Sequence, residues 1–419
     1  MPSDTTYSSL DADSRWPAAM AALRYRNYRL WFVGQGISLM GTWMQWVAQG
    51  WLVYELTRSE MALGTISFFG SLPALFLMLP AGAIADRISR RTLLLATQTV
   101  MTLQALLMAF LAGIGALQVW HIAVLSAVMG VANAFDAPAR LALTVDMVED
   151  RRDLTNAVAL NSSLFNMARI VGPAVGGVVL ASVGATWCFA LNGLSFLAVL
   201  IALWRMRFPP LRQAAEPDPM AQQITAGLSY VLHHEVLRTI LALVSVSCLF
   251  GFGYTTLMPA YAAEVLHVGE TGLGTLNAVA GAGALIGSLM VASLGPFPHK
   301  GLVLMAGSVL FPVAILLFAL SDSFLLSSVM LAVLGFAFVT QAAISQTLMQ
   351  SIVPDALRGR VMSVFSLTFF GTAPFASLFA GAMAQARGIP AGIGIGGGIT
   401  LAFALWVLFA VPALVRLRD

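Results

Sequence analysis

The chain has 419 residues, of which 59% are hydrophobic and 10% are charged, and its net charge is +3. Soluble globular domains carry about 25% charged residues, so this composition excludes an ordinary soluble protein and predicts a polytopic membrane protein. The basic residues are scattered rather than massed, which argues against a nucleic-acid partner and fits the charges that orient membrane helices.

Few residues offer chemistry outside the apolar runs. The two cysteines, Cys188 and Cys248, lie inside predicted spans and far apart, so we interpret them as small apolar side chains without a disulfide. The five histidines fall at or near span ends and lack acids or cysteines in metal-binding spacing, so no metal site is predicted. Residues 1–16 lack the layout of a signal peptide and are predicted to be disordered.

Twelve apolar runs are long enough to cross a bilayer. Because a backbone in lipid must satisfy its polar groups internally, each run is predicted to be a helix, and the fold class is an all-α polytopic membrane protein. The predicted spans are 29–55, 62–85, 92–114, 118–144, 157–182, 186–206, 237–263, 271–294, 301–320, 324–349, 361–386 and 390–415.

Basic residues orient these spans. Nineteen of the 22 lie in the two termini or in the even-numbered connections, whereas the opposite side holds only Arg58 and Arg387, and Arg169 lies within a span. Short loops rich in Lys and Arg stay on the cytoplasmic side. We therefore expect both termini in the cytoplasm.

The longest connection divides the spans into six and six. We predict a cytoplasmic tail at 1–28, a first half at 29–207, a linker with a surface helix at 208–236, and a second half at 237–419. The runs VEDRRDLTNAVAL from Val148 and VPDALRGRVMSVF from Val353 repeat at an offset of about 205 residues, which supports two related halves.

A short charged loop, GAIADRISRR at Gly82–Arg91, separates the second and third spans. It resembles the loop between helices 2 and 3 of the major facilitator superfamily, although Ser89 replaces a second glycine. The resemblance implies twelve helices in two six-helix halves and a cytoplasmic gate, in which the acid of this loop caps a helix of the other half near 359–361. The alternative is that the loop charges only set orientation. The predicted gate consists of Gly82, Asp86, Arg87, Arg90, Arg91, Arg358 and Arg360.

The fifth span contains ARIVGPAVGG from Ala168. This run resembles the helix-5 signature of drug and metabolite antiporters, with Ala168 in the position of the first glycine, and it implies export. Small residues at such spacing also allow ordinary close helix packing, which is the alternative interpretation. The signature residues are Gly172, Pro173, Gly176 and Gly177.

Two charges lie well inside predicted spans, Arg169 in the fifth and Asp136 in the fourth. A charge at such depth faces a cavity or a partner. Their depths are compatible, and Arg140 follows Asp136 by one helical turn. We predict that Asp136 switches between Arg140 and Arg169 as it gains and loses a proton; the alternative is a permanent structural ion pair. The surrounding run NAFDAPAR resembles helix 4 of the enterobactin-exporter and macrolide-efflux branch, the transmembrane secretion effectors.

Amides inside the spans either join helices or line a cavity. We predict that Gln45, Gln49, Asn166 and Gln341 contact substrate.

These features predict a secondary transporter that exports small, partly apolar organic molecules, such as siderophores or drugs, by alternating access and proton antiport. An importer or symporter of a small metabolite is the alternative, and a non-transporting membrane sensor is the alternative from another class. No clustered catalytic groups or phosphate loop indicate an enzyme. We expect no cofactor beyond a proton gradient, a small-molecule substrate, the lipid bilayer as surroundings, a monomer, and residence in the bacterial inner membrane.

Overall fold

Every predicted span is helical in the computed structural model, which describes residues 17–206, 220–294 and 298–415. The first half consists of α1 to α6. Their bounds are α1 Arg26–Thr57, α2 Glu60–Arg87, α3 Arg90–Gly113, α4 Val119–Asp146, α5 Leu154–Val183 and α6 Ala185–Arg205.

The described chain after position 219 has ten helices, because the linker contributes the first and three of the six predicted spans are divided. Its bounds are α7 Met220–His233, α8 Glu235–Val246, α9 Tyr254–Ala260, α10 Gly269–Leu294, α11 Lys300–Ala319, α12 Phe324–Ile352, α13 Asp355–Gly371, α14 Ala373–Arg387, α15 Ile389–Ala410 and α16 Pro412–Val415.

Eleven helical segments of the described chain are long and apolar enough to cross a membrane, and α1 is the predicted span that falls outside this set. It has 32 residues, enough length for a crossing. Its polar content explains the difference, because Gln35, Gln45 and Gln49 lower its hydropathy. Gln35 and Gln45 are buried against other helices, so packing within the bundle shields the polar groups that make α1 less apolar than its neighbours.

The seventh predicted span is not one regular helix. Between α8 and α9 lies a π-helical turn, Ser247–Gly251, and a second one, Tyr261–Val265, follows α9. Such turns leave backbone groups less regularly paired and are frequent at functional sites. The eleventh span is likewise divided into α13 and α14, which meet at Thr372, two residues before Pro374. Proline has no amide hydrogen to continue the ladder.

The helices pack mainly within the predicted halves, and the two most extensive crossings between the halves involve glycines. In the first, between α2 and α14, a Cβ at Gly64 would lie 2.6 Å from the carbonyl oxygen of Ser377. In the second, between α5 and α10, a Cβ at Gly274 would lie 2.5 Å from the carbonyl oxygen of Pro173. Only glycine allows such close backbones. Both crossings lie toward the end of the bundle opposite the arginine-rich connections.

A hydrogen bond also joins the halves at that end. The Ser59 hydroxyl donates to Oε1 of Gln385 at 2.9 Å. Ser59 precedes α2 and Gln385 is near the end of α14, so the bond lies beyond the glycine crossing. The halves are therefore in contact at the arginine-poor end of the bundle.

The first described residues are folded rather than a tail. A 3-10 helix, Ala18–Arg24, precedes α1, and the backbone amide of Ala22 donates to Oδ1 of Asn156 at 2.9 Å. Tyr25 donates its hydroxyl to Asp153 at 2.8 Å. Residues 17–28 thus dock on the start of α5, whereas residues 1–16 lie outside the described part of the chain.

The second part of the predicted linker forms α7, as expected, while positions 207–219 are outside the described residues. α7 packs along α13, and a Cβ at Gly227 would lie 2.6 Å from the carbonyl oxygen of Arg360. This surface helix therefore rests on the segment that carries two of the predicted gate arginines.

Candidate functional site

The small residues of α5 face two different neighbours. Gly172 and Gly176 face α1 of the same half, where a Cβ would lie 2.6 Å from Cβ of Trp43 and 3.0 Å from Cα of Met44. These two glycines serve close packing inside the first half. Their substitution would push α1 away, because no side chain fits these distances.

Pro173 and Gly177 instead face the other half. A Cβ at Gly177 would lie 2.7 Å from the carbonyl oxygen of Glu270 and 2.9 Å from Cα of Gly274, both in α10. One part of the signature therefore holds α5 to its own half, and the other part forms the seam between halves. The antiporter role that the resemblance implies for this run stays a prediction.

Asp136 is buried, with 1% of its surface exposed, and it has partners on two helices. Its Oδ1 accepts hydrogen bonds from Thr97 Oγ1 at 3.0 Å and from Gln98 Nε2 at 2.8 Å, both in α3. Its Oδ2 lies 3.6 Å from Nε of Arg140, one turn along α4. Three side chains therefore stabilise this carboxylate inside the first half.

Arg169 lies on α5 at the seam with the second half. A Cβ at Gly281 of α10 would lie 3.0 Å from the carbonyl oxygen of Arg169. Arg169 itself is half-buried, and the phenol of Tyr254 in α9 lies within electrostatic range of its guanidinium. The described structure shows no ion pair between Arg169 and Asp136, whose carboxylate contacts Thr97 and Gln98 of α3 and Arg140 of α4. The predicted switch of Asp136 between the two arginines stays a prediction.

Two of the four amides that we predicted to line the cavity are buried between helices. Gln45 is 1% exposed; its Nε2 donates to Gln104 at 3.3 Å and its Oε1 accepts from Asn192 at 2.7 Å. Gln341 is also 1% exposed and donates to Ser247 at 3.0 Å. Both therefore join helices within their own halves in this structure, and their contact with substrate stays a prediction.

Gln49 and Asn166 are half-buried. Gln49 Nε2 donates to the hydroxyl of Ser126 at 3.0 Å, whereas Asn166 Nδ2 donates to the carbonyl oxygen of Ser162 in its own helix at 2.9 Å. Asn166 lies about one turn before Arg169 on α5. Of the predicted amides it is the one whose position fits a site at the seam, and its contact with substrate stays a prediction.

The described gate arginines bind within their own halves. Arg90 forms an ion pair with Asp146 of α4 at 2.6 Å. Arg91 donates to the carbonyl oxygens of Leu203 and Trp204, at 2.8 Å and 3.0 Å, where α6 ends. These bonds fix the start of α3 against its neighbours in the first half.

Of the remaining gate positions, Gly82, Arg87 and Arg358 show no contact with the other half in the part of the chain that is described. A Cβ at Gly82 or at Gly359 would meet no heavy atom within 4 Å beyond the glycine's own surroundings. Arg87 is exposed, and Arg358 pairs with Asp355 of its own helix at 2.6 Å. The side chain of Asp86 lies outside the described residues, so the cap that the resemblance implies stays a prediction.

Sequence reasoning missed three side chains around the interior charges: Thr97, Gln98 and Tyr254. Gln98 carried a usable signal, because it is an amide inside an apolar run, as Gln45 and Asn166 are. Thr97 and Tyr254 carried none, since threonine and tyrosine occur throughout membrane helices. Their roles follow only from which helices are neighbours.

Comparison with known proteins places the chain in a family. It is 27% identical over 371 residues to the multidrug efflux pump Tap of Mycolicibacterium fortuitum, covering 85% of this chain and 87% of that protein. It is 26% identical over 365 residues to the staphyloferrin A transporter of Staphylococcus aureus, covering 86% and 90%.

A solved structure shares the fold. It is a bacterial homologue of the human lysosomal transporter Spinster in an inward-facing, unoccupied conformation, with a TM-score of 0.70, 14% identity, and coverage of 95% of this chain and 96% of that one. The family model described as transmembrane secretion effector matches residues 17–417. The chain therefore belongs to the transmembrane secretion effectors of the major facilitator superfamily, and it is a membrane transporter rather than an enzyme.

Proposed function

We propose that this transporter exports small, partly apolar organic molecules of the drug or siderophore kind across the bacterial inner membrane, in exchange for protons. The names of the two relatives, an efflux pump and a siderophore transporter, support this substrate range. The arginine distribution supports cytoplasmic termini, and therefore a pathway whose arginine-rich end faces the cytoplasm.

The observation that carries proton coupling is the position of Asp136. Among the acids whose side chains are described, it is the one that lies well inside a span and is fully buried. A proton that enters the membrane interior needs a titratable group there, and intramembrane acids are typical of proton relays. We infer that the proton leaves Asp136 past Arg140, because the side chain of Arg140 is 28% exposed.

The coupling step follows from the partners of Asp136. Protonation removes the negative charge that holds Arg140, and it weakens the charge-assisted hydrogen bonds from Thr97 and Gln98. The contacts between α3 and α4 then favour a different arrangement of the first half. A ligand or a proton shifts such an equilibrium only through its differential affinity for the two states.

Alternating access requires the halves to separate at one end while they meet at the other. In this structure they meet at the arginine-poor end, through the two glycine crossings and the Ser59–Gln385 bond. We infer that these contacts break when substrate is released outward, and that the predicted gate around Asp86 forms at the same time.

Inside-out vesicles provide the test. With an acidic interior imposed, we would add lipophilic cations, macrolides and catecholate siderophores in turn and follow the pH gradient with a fluorescent dye. Partial collapse on adding a compound, abolished in Asp136→Asn and retained in Asp322→Asn, an exposed acid in a loop, supports proton antiport. Collapse that persists in Asp136→Asn contradicts the role of Asp136, whereas collapse that requires the compound inside favours symport.

We further propose that the chain works as a monomer with no cofactor beyond the proton gradient, since each chain carries a complete seam between two halves. Light scattering of the purified protein, corrected for detergent, tests this directly. A mass of about 44.4 kDa for the protein component is expected, and twice that value would contradict it.

A further inference from the structure

Arg169 is a cation in the middle of a membrane helix without a counter-ion from the described chain. Helix α5 runs from Leu154 to Val183, so Arg169 lies about 22 Å from its start at 1.5 Å per residue. The described side chains give its guanidinium no ion pair and no hydrogen bond. Such a charge is expensive in the bilayer interior unless a partner or a water-filled cavity compensates it.

No described acid is available to serve as that partner. Asp136 is the acid at comparable depth, and its oxygens are occupied by Thr97, Gln98 and Arg140. The other acids with described side chains lie at helix ends or in connections. The interior of the first half therefore leaves one positive charge uncompensated, and an anion from outside the chain would compensate it.

The surroundings of Arg169 suit an anion with two oxygens. A guanidinium presents several N–H donors in one plane, in a geometry that matches a carboxylate. Tyr254 of the second half is near enough to act on the charge, and its hydroxyl has no hydrogen-bond partner in the described chain. The second half thus supplies a hydroxyl donor within electrostatic range of Arg169.

Aromatic rings extend from Tyr254 into the second half. The ring centroid of Phe252 is 6.0 Å from that of Tyr254 and 5.0 Å from that of Phe338. Phe338 in turn lies 5.8 Å from Phe369, which is half-buried. Tyr254 and Phe338 are themselves buried, so the accessible apolar surface of this row is that of Phe252 and Phe369.

We propose that Arg169, assisted by Tyr254, binds a carboxylate of an amphipathic substrate whose aromatic or apolar body packs on Phe252 and Phe369. That this anion is a transported substrate rests on the proposed export function, whereas the binding of the anion at Arg169 does not. The substrate class is then narrower than drugs and siderophores in general: it consists of organic acids with an apolar body. Arg169 becomes a substrate ligand rather than a partner of Asp136.

A matched pair of probes tests the site without a gradient. Ligand-observed NMR on the purified protein in detergent would compare 1-naphthaleneacetate with 1-naphthaleneacetamide, which share a ring and differ in charge. We expect the carboxylate to bind at least tenfold tighter. Arg169→Gln should reduce carboxylate affinity about 10- to 100-fold, the range for a lost charge-assisted hydrogen-bond pair, and should leave amide affinity unchanged, which also reports correct folding.

Three further variants sharpen the result. Arg169→Lys should retain part of the preference, because it keeps the charge and loses the planar fork. Tyr254→Phe should weaken the carboxylate by less than tenfold. Arg387→Gln, an exposed arginine near the arginine-poor end, should change nothing.

Equal affinity of the two probes for the wild type, including no binding of either, overturns the proposal, and so does a carboxylate preference that survives in Arg169→Gln. The proposed function fails separately: vesicles that show no proton-coupled export while the purified protein keeps the predicted preference would refute proton antiport and leave the anion site standing.

Discussion

Asp136 and Arg169 are both charged residues inside the first half, but their surroundings differ completely. Asp136 faces α3 and is surrounded by two hydrogen-bond donors and an arginine. Arg169 lies where α5 crosses α10 at the seam between halves and has no acid beside it in the described chain. The difference lies in the neighbouring helix: side chains of the first half neutralise the charge of Asp136, whereas the charge of Arg169, at the seam, is the one that we propose binds an anion from outside the chain.

The largest contrast is expected in stability. Replacing Asp136 by leucine leaves Arg140 and the Gln98 amide without their acceptor, and breaking such a pair inside a protein destabilises it. Because Arg140 is partly exposed, we expect a loss of about 1–3 kcal/mol. Arg169→Met removes a charge without a described partner, so its melting temperature in detergent should equal or exceed that of the wild type.

Thermal unfolding followed by fluorescence of the purified variants measures this contrast. Equal destabilisation by both substitutions would mean that Arg169 has a structural partner after all, and it would remove the distinction between the two charges.

The seam itself gives the next prediction. A leucine at Gly281 would force α10 away from the backbone of Arg169, since even a Cβ there lies 3.0 Å from its carbonyl oxygen and 3.2 Å from Ile170. We expect the naphthaleneacetate dissociation constant to rise about tenfold, which corresponds to about 1.4 kcal/mol. Gly398→Leu is the control, because a Cβ at Gly398 meets nothing within 4 Å. Unchanged affinity in Gly281→Leu would place the site elsewhere.

A smaller effect is expected from one donor to Asp136. Thr97→Val removes the 3.0 Å hydrogen bond to the carboxylate while keeping the shape of the side chain, and should lower stability by about 1 kcal/mol. Thr99→Val, two residues further along α3, is the matched control, since the Thr99 hydroxyl is exposed and binds only its own helix. The same loss in both variants would show that the hydrogen bond to Asp136 contributes nothing special.

The smallest effect concerns a surface ion pair that contrasts with the interior one. Hydrogen bonds from the side chain and backbone of Arg152 hold the pKa of Asp150 below its ordinary value of 3.8. A lowered pKa stabilises the folded state above the ordinary value and loses that contribution as pH falls through the folded pKa. The melting temperatures of Asp150→Asn and wild type should therefore differ by a small, constant amount from pH 8 to pH 5.

That difference should shrink only below about pH 4. Melting curves across this range provide the check, and a difference that changes between pH 6 and pH 8 would contradict the assignment of the shift to Asp150.

The sequence was sufficient to predict the helices because each membrane-spanning segment is a long apolar run. Apolar length predicted the twelve helices, and the orientation that the arginine distribution indicates stays a prediction. The π-helical turn at Ser247–Gly251 was not predictable, because its residues SCLFG are as apolar as the regular helix around them. It depends on packing that only the assembled half provides.

For the site, the sequence indicated which residues were unusual but not what they contact. Asp136 and Arg169 stood out as charges inside apolar runs, and their depths suggested a pair. Depth along a helix says nothing about direction around it: Asp136 contacts α3, whereas Arg169 lies where α5 crosses α10. The same holds for Gln45 and Asn166, because the sequence does not distinguish an amide that joins two helices from an amide that lies at the seam.

The most direct test separates the two charges in one assay. In inside-out vesicles with an acidic interior, a carboxylate compound that collapses the gradient in the wild type would be compared in Asp136→Asn and Arg169→Gln, with compound uptake and proton release recorded together. We expect Asp136→Asn to let the compound equilibrate without moving protons, and Arg169→Gln to abolish uptake of the carboxylate and the proton release with it. Proton release that persists in Asp136→Asn, or undiminished carboxylate uptake in Arg169→Gln, would contradict the division of roles between proton and substrate.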